Sequence, residues 1–319
     1  IKILVLIEMG LCLLNLLIRT ILFFFQLGIK LMITVLEYAL LSQEVYGLRQ
    51  NTAQKRYFYD YMVKIKGWVR PPDRIPFQPM ANANFYAELW MKKKQKEAVV
   101  VFRGSSTIDN FLEDIKSWYP NVVFNEHTDN KPQKYYRLAN VYAHQCLFYI
   151  RRKYPKVHLS FTGHSLGGAL AQLVAGLNGL PYPVVAFNSP GVGYMASRVE
   201  RISGQIHNIN SRYGFINKID KTVGSIDYVE VSEEEGAAKH YFEEVKEIDL
   251  QKKILSDIAD QSSWSAEEVK AKISRDEKVK DISLLIALLP QHKIANLVEA
   301  LQEKQYAALA NRPYFGVRV

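Results

Sequence analysis

Large apolar residues dominate the first forty-odd positions of the chain, and the few polar residues among them recur at regular intervals. They are Glu8, Asn15, Arg19, Gln26, Lys30, Glu37 and Glu44. At about 100° per residue, their spacings of 7, 4, 7, 4, 7 and 7 residues place all of them in a stripe about 60° wide on an α-helix. The pattern predicts an apolar helix with a narrow polar seam over residues 1–40, followed by a separate folded domain over residues 41–319.

Three interpretations of this N-terminal helix stay open. No uncharged run reaches the roughly 18 residues of a simple membrane-spanning helix, because Glu8, Arg19 and Lys30 interrupt it. We expect the segment to be either a long core helix, part of which packs under the domain, or a membrane-inserted helix whose polar seam meets protein or another copy of itself. A signal peptide is the third interpretation, although no small-residue cleavage site follows the apolar stretch.

A second pattern joins a strand to a helix through a glycine-rich turn. Residues 157–162 form an apolar run of the β type, residues 163–168 read Gly-His-Ser-Leu-Gly-Gly, and a helical pattern follows. The Gly-x-Ser-x-Gly arrangement is typical of a sharp turn that lifts a serine hydroxyl above the edge of a sheet, at the N-terminus of the next helix. It predicts Ser165 as a nucleophile.

Such a nucleophile needs backbone donors for the negative charge that develops on the attacked carbonyl oxygen. Residues 98–102 have the pattern of a buried strand and run into a small-residue loop, Arg-Gly-Ser-Ser-Thr. Ser105 in that loop and Leu166 after the nucleophile are therefore the predicted oxyanion donors.

Composition and charge narrow the class of protein. With 48% hydrophobic and 23% charged residues, the 319-residue chain is a folded protein. Its two cysteines exclude a disulfide framework and a cysteine-based metal site, and the spacing of its seven histidines disfavours structural zinc. A net charge of +9 favours an anionic partner surface, either membrane lipid or nucleic acid. Because no nucleic-acid recognition motif is found, nucleic acid is not expected as a partner.

The motifs together resemble the class 3, or fungal-lipase-like, family. They are Phe-Arg-Gly-Ser at 102–105, Gly-His-Ser-Leu-Gly-Gly at 163–168 and Ala-Phe-Asn-Ser-Pro-Gly at 186–191. The resemblance spans about residues 41–301 and implies the α/β-hydrolase fold, a central mostly parallel sheet flanked by helices. It also implies that Ser165 is the nucleophile, that Ser105 and Leu166 bind the oxyanion, and that residues 107–120 act as a lid or pocket wall.

The resemblance identifies the base more firmly than the acid. His292 lies between a Leu-Leu-Pro-Gln stretch and a predicted C-terminal helix, where the family's catalytic histidine sits. His207 lies in a strand pattern and is expected to be structural. The family's acid would fall at Gly214, which has no side chain. We expect Asp220 to serve instead, with Asp227 or no acid at all as alternatives.

Two charged stretches lie outside these motifs. Residues 232–280 are charged and helical in pattern, which indicates a solvated helical excursion or, alternatively, a cap or partner-binding element over the active site. Residues 92–96, Lys-Lys-Lys-Gln-Lys, predict a solvated hairpin turn or, alternatively, a contact with lipid headgroups.

The sequence thus predicts a serine esterase with a Ser165–His292–Asp220 triad that cleaves acyl esters of lipids and requires no metal or organic cofactor. The positive charge and the apolar N-terminus favour phospholipid at a membrane surface, and a membrane-associated or secreted location. The alternative, supported by Gly214, is a catalytically impaired hydrolase scaffold that binds lipid or protein.

Overall fold

The computed structural model describes about half of the chain. The described residues are 33–47, 52–72, 85–92, 94, 96–105, 131–179, 181–193, 204–214, 216–218, 221–231, 293–314 and 317–318. Most of the N-terminal apolar segment, the predicted lid, the 232–280 excursion, Asp220 and His292 therefore lie outside them.

A seven-stranded sheet forms the centre of the molecule. Its strands lie in the order β2-β3-β4-β5-β6-β7, with β9 paired to the start of β4. The first pair is antiparallel, and β3 to β7 run parallel. The bounds are β2 Ala87–Lys92, β3 Glu97–Phe102, β4 His158–His164, β5 Val184–Phe187, β6 Ile206–Ser211, β7 Ser225–Val229 and β9 Val317–Arg318.

Helices cover both faces of this sheet, which confirms the predicted α/β fold class. The helices are α1 Val35–Glu44, α2 Thr52–Phe58, α3 Lys131–Lys153, α4 Leu166–Leu177, α5 Ile294–Leu301 and α6 Ala307–Ala310. A π-helical segment, Tyr59–Ile65, continues α2. Two short 3-10 helices lie at Ile216–Lys218 and Lys304–Tyr306 in the described part of the chain.

The two faces of the sheet carry separate apolar cores. One core packs α3 and α4 against side chains such as Val100, Phe102 and Phe161. The other packs α1 and α5 against the alternate residues of the same strands, such as Val101 and Phe187. Burial on both faces explains why β3 and β5 read as continuous apolar runs rather than as alternating patterns.

The helix α1 begins where the N-terminal prediction expected a helix to continue. Residues Ile33–Thr34 are extended as β1, and Thr34 caps α1 through a reciprocal capping box with Glu37. One continuous helix therefore does not cover residues 1–40, and the predicted boundary at residue 40 falls inside α1. Glu37 was assigned to the polar seam, but its side chain is fully buried and forms an ion pair with Lys92.

This ion pair also changes the interpretation of the charge run at residues 92–96. The predicted hairpin is present, since β2 and β3 are antiparallel on either side of it. However, Lys92 is buried, with its ammonium 4.9 Å from the centre of the Trp68 ring. Burial lowers the pKa of Lys92, and Glu37 opposes that shift. Lys94 and Lys96 are exposed, as expected for a solvated turn.

The C-terminal part of the chain returns to the start of α1. Strand β8, Pro313–Tyr314, pairs with β1 so that Ile33 lies opposite Tyr314. Within the described part of the chain, no helix is both long enough and apolar enough to cross a membrane.

Candidate active site

The turn between β4 and α4 has the geometry that the Gly-x-Ser-x-Gly pattern predicts. Ser165 has φ 58° and ψ −131°, a backbone conformation that residues other than glycine seldom adopt. The neighbouring strand holds it there, since the Ser165 N–H donates to the Phe187 carbonyl at 2.9 Å. This strained turn places the predicted nucleophile at the N-terminus of α4.

Two glycines make the sharp turn possible. A Cβ on Gly163 would collide with the backbone of Gly167, and a Cβ on Gly167 would collide with the carbonyl of Phe102. These two positions therefore leave no room for a side chain. We call the turn over residues 163–167 the elbow. The two glycines bring the end of β3 against this elbow, because Phe102 and Gly163 are also paired in the parallel register.

The loop after β3 packs directly against the elbow. A Cβ built on Gly104 would lie 2.5 Å from the His164 carbonyl oxygen and 3.0 Å from the Ser165 Cβ. Ser105, the next residue, is thus held beside the predicted nucleophile. Leu166 is the first residue of α4, so its N–H belongs to the group that a helix leaves without an intrahelical partner. The two predicted oxyanion donors therefore border Ser165 from two different elements.

Tyr46, which follows α1, connects these two elements. Its hydroxyl oxygen accepts the Gly104 N–H at 3.1 Å and lies 2.9 Å from Nδ1 of His164. With the His164 proton on Nε2, the Tyr46 hydroxyl donates to Nδ1. The sequence analysis missed this residue, because its contacts reach across 58 and 118 positions of the chain and leave no local signal.

The Asn-Ser-Pro segment joins the ends of β5 and β6. Asn188 has φ 43°, and its Oδ1 accepts both the Ser211 N–H at 2.6 Å and the Ser211 hydroxyl at 3.0 Å. Ser189 accepts a hydrogen bond from Gln172 of α4 at 3.1 Å. The third motif of the resemblance therefore fixes the strand ends beside the elbow.

The structure does not describe the predicted acid or the predicted base of the triad. Asp220 and His292 both lie outside the described residues and stay predictions. Gly214, where the family register places the acid, sits in a tight turn after β6. A Cβ there would lie 2.6 Å from the Ser211 hydroxyl and 2.7 Å from the Asn217 amide nitrogen. The backbone of Gly214 does not have the positive φ that strains residues with a side chain. It is instead the neighbouring atoms of Ser211 and Asn217 that restrict a side chain at this position.

Asp227, the alternative acid, is occupied elsewhere. It lies in β7, where its carboxylate is 2.8 Å from Nε2 of His207 and forms an ion pair with Arg312. His207 also lies 2.5 Å from the Ser225 hydroxyl through Nδ1. Burial lowers the pKa of His207, with Asp227 opposing and Arg312 adding to the shift. This geometry supports the expected structural role of His207 and argues against Asp227 as the triad acid.

The described ranges contain no cluster of metal-binding side chains. There, no three His, Cys, Asp or Glu side chains come close enough to hold a metal ion together. The elbow instead offers a hydroxyl at a helix N-terminus beside a backbone loop, which suits nucleophilic attack on a carbonyl carbon.

Comparison with known proteins identifies a protein family that part of this chain resembles. The sequence model of the family described as Lipase (class 3) matches residues 99–198, which include the end of β3, the elbow and the Asn188 segment. Residues 99–198 are therefore similar to the class 3 lipases. The predicted resemblance is thus confirmed over residues 99–198. Asp220 and His292 follow the matched residues.

Individual class 3 relatives match this chain over limited lengths. The candidate lipase ATG15 of Vanderwaltozyma polyspora is 54% identical over 48 residues, which are 15% of this chain and 8% of that protein. The crystal structure of Lip2 lipase from Yarrowia lipolytica is 18% identical with a TM-score of 0.45, covering 61% of this chain and 77% of that one. The Rhizomucor miehei lipase in its propeptide complex is 19% identical with a TM-score of 0.44, covering 60% and 66%.

Proposed function

We propose that this protein hydrolyses acyl esters of lipids and that Ser165 is the nucleophile. The observation that carries the proposal is the conformation of Ser165, at φ 58° on the N-terminus of α4 and against the Gly104 loop. Strain of this kind costs about 1–3 kcal/mol and persists where the surrounding structure enforces it, most often at functional sites. The class 3 lipase match over the same residues agrees with that reading.

The proposed reaction proceeds in two displacements. The Ser165 hydroxyl attacks the ester carbonyl carbon while its proton passes to His292, and the N–H groups of Ser105 and Leu166 stabilise the oxyanion. The carbon–oxygen bond to the alcohol then breaks, and His292 returns the proton to that alcohol. Water, deprotonated by His292, attacks the carbonyl carbon of the acyl-enzyme. The bond from that carbon to the Ser165 oxygen then breaks, His292 returns the proton to Ser165, and the fatty acid is released. Asp220 orients the histidine through Nδ1.

Phospholipid at a membrane surface is the proposed substrate, and a membrane-associated or secreted location follows from it. The net charge of +9 supports a preference for anionic lipid over neutral fat. The test is to compare the purified protein on anionic phospholipid vesicles and on triglyceride emulsions. Ready hydrolysis of the emulsion with no hydrolysis of the vesicles would contradict the phospholipid proposal and leave ester hydrolysis standing.

The second candidate function is a hydrolase scaffold that binds lipid or protein without turnover. The observation in its favour is Gly214, because a carboxylate cannot be placed there without a clash with Ser211. A protein partner bound through residues 232–280 would belong to either function.

A fluorophosphonate probe separates the two candidates. The reagent forms a covalent bond only to a serine activated by a base, so the esterase proposal expects one adduct, at Ser165, together with cleavage of a short-chain soluble ester. The Ser165→Ala variant should lose both signals. An intact, folded parent that forms no adduct and cleaves no ester would support the binding scaffold instead.

A further inference from the structure

The segment α2 and its π-helical continuation carry an unusual concentration of exposed apolar side chains. Of the nine large hydrophobic residues that are exposed in the described part of the chain, four lie between residues 57 and 69. Ile65 is 74% exposed, the highest value among them, and Tyr59 is 53% exposed. On the opposite side of the same segment, Phe58 and Met62 are buried and anchor it to the domain. The exposed side is therefore held firmly but is left uncovered.

Basic side chains surround these exposed rings. Residues 52–66 contain four Lys and Arg residues and one acid, Asp60. Asp60 is paired with Lys64 at 2.9 Å and with Arg56 at 3.8 Å, so its charge is more than offset. The Lys64 ammonium also lies 5.0 Å from the centre of the Tyr59 ring. The result is a surface that is positive and aromatic at once.

We propose that this side of the molecule docks on the surface of an anionic phospholipid membrane. The α2 surface is defined as Lys55, Arg56, Tyr57, Tyr59, Lys64 and Ile65. Tyrosine rings are favoured at the boundary between hydrocarbon and water, and basic side chains nearby are attracted to anionic headgroups. Ile65 would leave water on docking, which removes an exposed apolar side chain.

The position of α2 in the chain suits this role. Its first residue, Thr52, follows Tyr46 by a short stretch, and the Tyr46 hydroxyl contacts the Gly104 loop of the candidate site. A membrane bound at the start of α2 would therefore lie near the elbow, while the π-helical end of the segment leads to Val69, which pairs with Met91 toward the opposite end of the sheet. In this respect the inference rests on the proposed function and names the surface through which the enzyme reaches its lipid.

The helix α3 provides a matched control. It packs on the opposite face of the sheet, exposes Phe148 to a similar extent at 66%, and ends in the basic residues Arg151 and Arg152. A general attraction of exposed apolar or basic groups to lipid would act on both helices. Docking through the α2 surface would instead bring only the α2 surface into contact with lipid and would leave α3 in water.

The first experiment places an environment-sensitive nitrobenzoxadiazole label on Ile65→Cys or, as the control, on Phe148→Cys, each in the full chain with Cys12→Ser. The native Cys146 is fully buried and should not react. Vesicles of phosphatidylcholine with phosphatidylglycerol should raise the emission at position 65 several-fold and leave position 148 unchanged, while phosphatidylcholine alone should change neither. No response at position 65, equal responses at both positions, or an equal response to duplex DNA would overturn the proposal.

The second experiment removes charge without adding a label. Lys55→Gln with Lys64→Gln should weaken binding to the anionic vesicles about 25-fold, at about fivefold per charge, whereas Arg151→Gln with Arg152→Gln should change it little. Equal losses in the two double variants would overturn docking through α2. All variants should cleave a soluble short-chain ester at the parental rate. If the parent itself cleaves no ester, the proposed function fails, whatever the label at position 65 reports.

Discussion

Two serines in this molecule stand beside a hydrogen-bonding framework, and only one of them has the surroundings of a nucleophile. The Ser225 hydroxyl in β7 lies 2.5 Å from Nδ1 of His207, and His207 in turn contacts Asp227, so serine, histidine and aspartate lie in series. Yet Ser225 begins an ordinary extended strand, and Arg312 shares the carboxylate of Asp227. Ser165 occupies a strained turn at a helix N-terminus with a backbone loop packed against it.

The difference teaches that the residue types of a triad do not make an active site. A helix N-terminus and preorganised N–H groups stabilise the charge that develops on the substrate, and these surround Ser165. The array at Ser225 holds a buried histidine in one orientation and links β6 and β7 to the C-terminal segment. It is a structural use of the same hydrogen-bonding chain.

The largest expected effect separates the two serines directly. Ser165→Ala should lower kcat on a soluble ester by about 10⁶-fold or to below detection, because the attacking atom is lost. Ser225→Ala should leave kcat within about twofold of the parent. Both are measured by initial rates with fluorophosphonate labelling as a check on the active fraction. Retained turnover in Ser165→Ala would refute the nucleophile assignment.

The two aspartates should differ almost as much. Asp220→Asn should lower kcat by up to about 10⁴-fold without unfolding the protein, because the amide favours the wrong imidazole tautomer of His292. Asp227→Asn should leave kcat nearly unchanged and lower the melting temperature, since it weakens the contacts to His207 and Arg312. A silent Asp220→Asn with an active parent would show that Asp220 is not the acid.

Restoring an acid at Gly214 is a less direct test than the sequence alone indicates. Because a Cβ there meets Ser211 and Asn217, Gly214→Asp should be destabilised by about 1–3 kcal/mol, as in overpacked cores. Gly214→Ala is the control for that steric cost, measured by chemical denaturation. A gain in kcat for the aspartate variant over the alanine variant would support an enzyme that lacks its acid.

An intermediate effect is expected from the residue that connects the loop and the elbow. Tyr46→Phe should lower kcat about 10- to 100-fold, less than the loss of an oxyanion donor itself, because the Gly104 loop loses its hydrogen-bonded anchor. Tyr38→Phe is the matched control, because it removes a buried tyrosine hydroxyl from α1, the helix that precedes Tyr46. That hydroxyl donates to the Ser160 hydroxyl at 2.8 Å. Tyr38→Phe should lower the melting temperature and leave kcat unchanged. Equal losses of kcat in both variants would contradict a specific role for Tyr46.

The smallest effect concerns the dependence of stability on pH and the buried histidine of β6, His207. Because burial lowers the pKa of His207, the unfolded chain takes up a proton at a higher pH than the folded protein. The contribution of neutral His207 to stability is therefore present above the unfolded pKa of about 6.5 and is lost as pH falls through the lower folded value. His207→Gln should be about 1–2 kcal/mol less stable at pH 7 and should lose less stability than the parent on going to pH 5. Urea denaturation at the two pH values measures both; a steeper loss in the variant would contradict the assignment.

Ser165 could be predicted from the sequence, whereas the contacts of Tyr46 could not. The elbow is contiguous in the chain, so the apolar run, the two glycines and the helical pattern could be read as one unit. Tyr46 and the Lys92–Glu37 pair depend on tertiary contacts between distant segments, and nothing in the local sequence indicates them. For the same reason a charge run that predicts a solvated turn did contain a buried lysine.

The pairing of Ile33 with Tyr314 has a mechanical consequence. Tension applied to the chain ahead of Ile33 would load β1 and β8 together, rather than peel α1 from the sheet. Tyr314 packs against His207, with 5.1 Å between ring centres, near the start of β6. The load would thus be transmitted to the start of β6, at the end of the sheet opposite the elbow, and Ser165 would be shielded from pulling at this attachment point.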